Sequence, residues 1–146
     1  MRQGTSPILA GLVCFAFGAA AVTAYRAVAP GESGPACRAG FAAMARVELL
    51  FGTGRKDGGA VGDVEWQSFM ESEVTPRFPD GLTVLTGYGQ WRTKDTIVKE
   101  GSRVLLIWYA PGPASDVKIE AIRTAYKTRF AQDSVMRVDG LSCVSF

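Results

Sequence analysis

No histidine occurs among the 146 residues. Histidine is the side chain most used for proton transfer near neutral pH, and it is the commonest metal ligand. Its absence excludes a Ser-His-Asp triad and a Cys-His nucleophile. Cysteine is scarce as well: Cys14, Cys37 and Cys143 are scattered, without the paired spacing of a thiolate zinc site. No metal and no cofactor is therefore expected. The chain has no Lys/Arg-rich run and a formal net charge of only +2, so nucleic acid is not an expected partner. The run Gly52-Thr53-Gly54-Arg55-Lys56-Asp57-Gly58-Gly59 lacks the Gly-Lys-Ser/Thr ending of a phosphate-binding loop, and it reads as an ordinary connection.

What is present begins with an address. Arg2 precedes Ile8 to Tyr25, a stretch without charge that ends in small residues. A basic start, an apolar run and small residues describe a secretory signal, with Val22-Thr23-Ala24 or Ala19-Ala20-Ala21 before the cleavage site. The competing reading is an uncleaved anchor, for which the stretch is barely long enough, since a span needs roughly 20 residues. On either reading the folded part is exported, periplasmic or secreted, or held at the inner membrane with its domain outside. The membrane is then met only through this segment. The expected division is 1–24 signal peptide or anchor, 25–36 flexible linker rich in Pro, Gly and Ser, and 37–146 one folded domain.

Within that domain, Ala45 to Phe51 alternates with period two and predicts a strand. Asp63 starts a helix in which Trp66, Phe69, Met70 and Val74 form the apolar stripe. Pro76 ends it, because the residue before proline disfavours helical geometry. Asp80-Gly81 turns the chain into a second strand, from Leu82 through Arg92, with Gly87 and Gly89 marking a bulge or bend. Val104 to Tyr109 is a continuous apolar run and predicts the most buried strand. Ser115 is the expected cap of a second helix with Ile119, Ile122, Tyr126 and Phe130 on one stripe. Ser134 to Asp139 and Leu141 to Phe146 complete the chain as a strand interrupted at Gly140.

The order βαββαβ predicts an α+β domain of ferredoxin-like type, a four-stranded antiparallel sheet with both helices on one face. The first and third strands are expected side by side in the middle and parallel, with the second and last at the edges. The last strand then ends beside the start of the first, which brings Cys143 close to Cys37. After signal removal these are the remaining cysteines, in a compartment that permits disulfides. Closing a loop of about a hundred residues stabilises by about 4–5 kcal/mol in the chain-entropy picture. The other sheet face is left open, with Tyr88, Trp91 and Trp108 as candidates to occupy it and a homodimer as one way to cover it.

Several runs carry a family likeness: Glu48-Leu49-Leu50-Phe51-Gly52, Trp66-Gln67-Ser68-Phe69, Glu73-Val74-Thr75-Pro76-Arg77-Phe78-Pro79-Asp80-Gly81-Leu82-Thr83-Val84, and Gly89-Gln90-Trp91-Arg92. Ala121 to Phe130 and Gln132-Asp133-Ser134-Val135 extend it. Together they resemble the bacterial domain-of-unknown-function family number 3574, over roughly Cys37 to Phe146. The resemblance implies a small exported bacterial protein and no activity.

Two classes of function follow from the residues. The first is a binding or structural module of the cell envelope, meeting an envelope protein or a small anionic ligand. An anion site of this kind would draw on Arg77, Gln90, Arg92, Arg103 and Tyr126, with arginines gripping a carboxylate, phosphate or sulfate. Arg77, flanked by two prolines, is the sharpest candidate, although it could equally tie the turn's carbonyls or pair with Glu73 or Asp80. Arg123 and Arg129 read as a solvated helix face. The second class is a cofactor-independent enzyme, as some dimeric α+β barrels are. It would depend on Glu48, Glu73, Glu100 or Asp133 with Tyr88, Tyr109 or Tyr126. A buried carboxylate bonded to a tyrosine would favour chemistry, and a shallow cationic groove without one would favour binding.

Overall fold

A computed structural model describes residues 36–146, which belong to the compact unit Gly34–Phe146. The expected signal or anchor at 1–24 and nearly all of the linker at 25–36 lie outside the described residues. Among the described residues, no helix is long and apolar enough to cross a membrane.

Four strands and two helices follow one another: β1 (Ala42–Gly52), α1 (Asp63–Phe69), β2 (Thr83–Thr93), β3 (Thr96–Tyr109), α2 (Pro113–Phe130) and β4 (Met136–Val144). The sheet order is β2-β3-β1-β4, so β1 and β3 occupy the middle. They run antiparallel, not parallel as expected from the sequence. The reason is topological: α1 carries the chain across so that β2 runs parallel to β1, and the β2–β3 hairpin then reverses it.

Val47, Leu49 and Phe51 of β1 and Leu105 and Ile107 of β3 are buried against the helices. Both helical stripes meet them: Trp66, Phe69, Met70 and Val74 from the first, and Ile119, Ile122, Tyr126 and Phe130 from the second. Phe51 is the hub of an aromatic cluster, with ring centroids 4.6 Å from Tyr126, 5.2 Å from Trp66 and 6.0 Å from Phe69. Edge-to-face rings of this kind add to the burial that holds helices to sheet.

Local details depart from the sequence expectation. α1 runs on as a π-helical turn, Met70–Val74, closed by the Thr75 amide donating to the Met70 carbonyl. Pro76 still ends the helix. The corner that follows is tied by the Arg77 and Phe78 amides, which both donate to the Val74 carbonyl. Phe78 is buried there, 5.7 Å from Tyr109, and Gly81 takes the positive φ of +134° that closes the turn.

Ser115 is not the cap of α2. Pro113 occupies the first helical turn after Gly112, and the Ser115 hydroxyl donates back to the Ala110 carbonyl. Gly87 and Gly89 make no bulge, since pairing with β3 continues unbroken from Thr83↔Leu106 to Thr93↔Thr96. Gly140 does not interrupt β4 either; it pairs opposite Arg46 within a continuous ladder.

The disulfide expected from the topology is present: Cys37 and Cys143 are joined with Cα atoms 5.5 Å apart, across 106 residues of sequence. It ties the segment before β1 to the end of β4.

Candidate functional site

The β2–β3 hairpin is longer than the rest of the sheet. β1 pairs with β3 only as far as Gly52↔Ser102, while β2 and β3 remain paired to Thr93↔Thr96. The hairpin tip therefore projects past the end of β1. Opposite it stands the loop after β1, closed on itself by a bridge between Gly54 and Ala60. Between them lies an open groove of about 1020 Å³. Its lining includes Gln90 and Trp91 from the hairpin and Arg55 and Lys56 from the loop.

The floor is built by glycines that let a carboxylate come close. A Cβ on Gly52 would stand 2.5 Å from Glu100 Oε1, and one on Gly54 would stand 2.7 Å from Oε2. Glu100 uses that approach to accept a 2.8 Å hydrogen bond from the Gly54 amide. The Gly54 carbonyl accepts from Gln132 Nε2 at 2.6 Å. One residue of the loop is thus held by side chains from two other elements. Thr53 adds a third tie, its hydroxyl donating to the Gly101 carbonyl at 2.9 Å.

Charges on the cationic loop are partly spent. Arg55 Nη2 donates to Glu65 at 2.5 Å, its guanidinium stands 5.7 Å over the Phe130 ring, and its Nε is buried without an acceptor. Glu65 also accepts from the Gly62 amide at 3.2 Å. That bond, foremost, and the arginine hold its carboxyl below the usual range. Lys56 pairs with Asp133 at 2.7 Å, both well exposed. Three cations (Arg55, Lys56, Lys99) and two carboxylates (Glu100, Asp133) line the groove, and both carboxylates already have partners.

Of the five residues expected to form an anion site, the groove gathers only Gln90. Arg77 sits at the corner after α1, where Nη1 donates to the Glu73 carbonyl and, at 2.9 Å, to its carboxylate. Arg103 lies on the helix side of the sheet, paired with Asp63, bonded to the Thr86 hydroxyl and 5.9 Å from the Trp66 ring. Tyr126 is fully buried beneath the groove, and its hydroxyl donates to the Gly52 carbonyl at 2.8 Å. Burial, followed by the Glu100 charge, pushes this phenol up to about 12. Arg92 is exposed on the projecting hairpin.

The helix arginines have structural contacts. Arg123 donates through Nε and Nη2 to the Val135 carbonyl, and Arg129 reaches Ser68 and Ser72. A smaller hollow of about 350 Å³ opens by Tyr109 and Arg137 near the start of α2. Arg137 is saturated there by Asp116, Asp139 and Glu120, at 2.6, 2.8 and 3.0 Å.

The sequence reading missed Arg55, Lys56 and Trp91 as groove residues. Gly52-Thr53-Gly54 followed by two cations was the local signal for the loop. Nothing local places Trp91 in the same groove, because that depends on how far the hairpin outruns β1.

Residues 46–146 match the family model described as "Protein of unknown function (DUF3574)". No curated protein sequence matches the chain. Among solved structures, a phage SAM lyase in complex with S-methyl-5'-thioadenosine is similar at a TM-score of 0.55 and 11% identity, over 77% of this chain and 95% of that one. A phage SAM lyase in its apo state gives 0.48 and 14%, over 78% and 97%. CutA from Synechococcus elongatus gives 0.45 and 12%, over 70% and 82%. At such identities the likeness concerns the fold alone.

Proposed function

For this chain, which belongs to the DUF3574 family, we propose an exported binding module that takes a small anionic ligand with a planar or apolar portion in the groove at the end of β1. The observation that carries this is the mixed lining of one open groove, which Trp91 of the projecting hairpin and Arg55 and Lys56 of the loop after β1 all border. An indole offers a flat apolar surface, and a guanidinium and an ammonium offer donors for a carboxylate, phosphate or sulfate. The loop is fixed before any ligand arrives, since Gly54 is bonded on both its amide and its carbonyl. Preorganisation of that kind reduces the entropy lost on binding.

Binding is favoured over catalysis by how the groove's polar groups are spent. Glu100 accepts from a backbone amide, and Tyr126 donates to a backbone carbonyl rather than to an acid. Proton transfer would need one of these free to meet a substrate. Export is supported by the N-terminal sequence pattern and by the Cys37–Cys143 bond, which suits an oxidising compartment. The element order and the strand order β2-β3-β1-β4 support a ferredoxin-like classification of the domain.

The test is a thermal-shift and calorimetric screen of the protein against phosphate, sulfate, carboxylates and nucleotides. A ligand that raises Tm should lose roughly tenfold or more in affinity in Trp91→Ala, with the Tm of the free protein unchanged. A bound ligand whose affinity is the same in Trp91→Ala would place the site elsewhere.

A further inference from the structure

The sheet face turned away from the helices carries exposed apolar side chains on β2, β3 and β4. On it Trp108 is 37% exposed, Val138 42%, Trp91 46%, Leu85 53% and Met136 59%, so two of the three aromatics expected there, Trp91 and Trp108, are on it. Tyr88 is not on this face; it pairs with Gly101 on the helix side, 93% exposed. Contiguous exposed apolar surface of this kind marks an interaction site. At its centre β1 carries Arg46 and Glu48, paired at 2.9 Å.

We propose that a second copy of this chain packs on this face, about a two-fold axis that lies across the strands and passes over Val47. Residue registers decide what then meets. Arg46 is level with Trp108 and Gly140, and Glu48 is level with Leu106 and Val138. Rotation about this axis sets Arg46 over the partner's Glu48, and Glu48 over the partner's Arg46. It also sets Trp108 against the partner's Leu106, and Val138 against the partner's Gly140, where no side chain obstructs it. A two-fold interface must be self-complementary in this way. An axis running along β1 would instead set Arg46 on Arg46 and Glu48 on Glu48, which like-charge repulsion disfavours.

The area is adequate. Four strands about 4.8 Å apart and roughly nine residues long, at about 3.4 Å each, give a face of roughly 600 Å² in plan. Side-chain relief brings this toward the ~800 Å² per partner of a stable interface. The same rotation brings the start of the partner's β1, at Ala42, level with Gly52, over the open side of the groove. Trp91 lies on this same face beyond the end of β1, and the dimer is tested by association of the protein without ligand.

Sedimentation of the full chain tests it, with Arg46→Glu and Glu48→Arg as variants and circular dichroism as the check on folding. The wild type should be a dimer at micromolar concentration. Each reversal should weaken the dimer by about 100-fold or more, because both facing pairs become like charges. Mixing the two variants in equal amounts should restore a dimer, since every facing pair is again of opposite sign. That rescue cannot come from loss of the pair within one copy. A wild type that stays monomeric, with residues 1–35 or anything else over the face, overturns the proposal. So do reversals that leave the dimer intact, or a mixture that stays monomeric.

Discussion

Gly54 shows how side chains from distant parts of the chain can fix a loop. Its amide donates to Glu100 and its carbonyl accepts from Gln132. Gly52 beside it leaves room for the same carboxylate. In Gly52→Ala the new methyl would push Glu100 aside, and the Gly54 amide would lose its acceptor. The expected cost is about 1 kcal/mol, and it should shrink toward zero in a Glu100→Ala background. Urea unfolding of the four proteins in that cycle measures it. Tyr126 joins the floor from below through the Gly52 carbonyl, with its phenol held up at about 12 against an ordinary 10. The folded state therefore keeps its proton while the unfolded state releases it. Stability is fully present below pH 10 and falls as pH rises from 10 toward 12. Tyr126→Phe should lower stability at neutral pH by about 1 kcal/mol through the lost hydrogen bond, and it should flatten the alkaline decline. Thermal melts between pH 8 and 12 check both.

Among the elements, the helices were legible and the strands less so. Trp66, Phe69, Met70 and Val74 form the buried face of the first helix, and Ile119, Ile122, Tyr126 and Phe130 that of the second, as their spacing demands. β3 extends eight residues before the apolar run that announced it, from Thr96 through Arg103, because ladder pairing with β2 and not burial stabilises that part. Gly140 looked like an interruption, yet its place opposite Arg46 needs no side chain. Ser115 looked like a cap, yet Pro113 sets the helix start two residues earlier. The disulfide followed from topology, because β4 ends where β1 begins. Replacing Cys37 and Cys143 by serine should cost about 2–5 kcal/mol. Hydrogen exchange should show the Ala42–Ala45 and Leu141–Val144 ladder losing protection first, while the amides around Phe51 remain slow.

At the scale of the molecule, the site depends on three segments that no local pattern connects: the loop after β1, the projecting hairpin and the turn after α2. Arg77, the most conspicuous arginine in the sequence, is held by Glu73 at a corner whose composition the turn itself explains. Arg103 is likewise committed, to Asp63 and Thr86. The less conspicuous Arg55 and Lys56 border the groove because β1 ends six residue levels short of the hairpin's last pair, Thr93↔Thr96. The measurement that tests the site most directly is an amide-shift titration of the isotopically labelled protein with phosphate and with a nucleotide. The account predicts saturable shifts confined to Thr53 through Gly59 and Gly89 through Trp91. Shifts centred on Arg77, or saturable binding that leaves both of those segments unmoved, would contradict it.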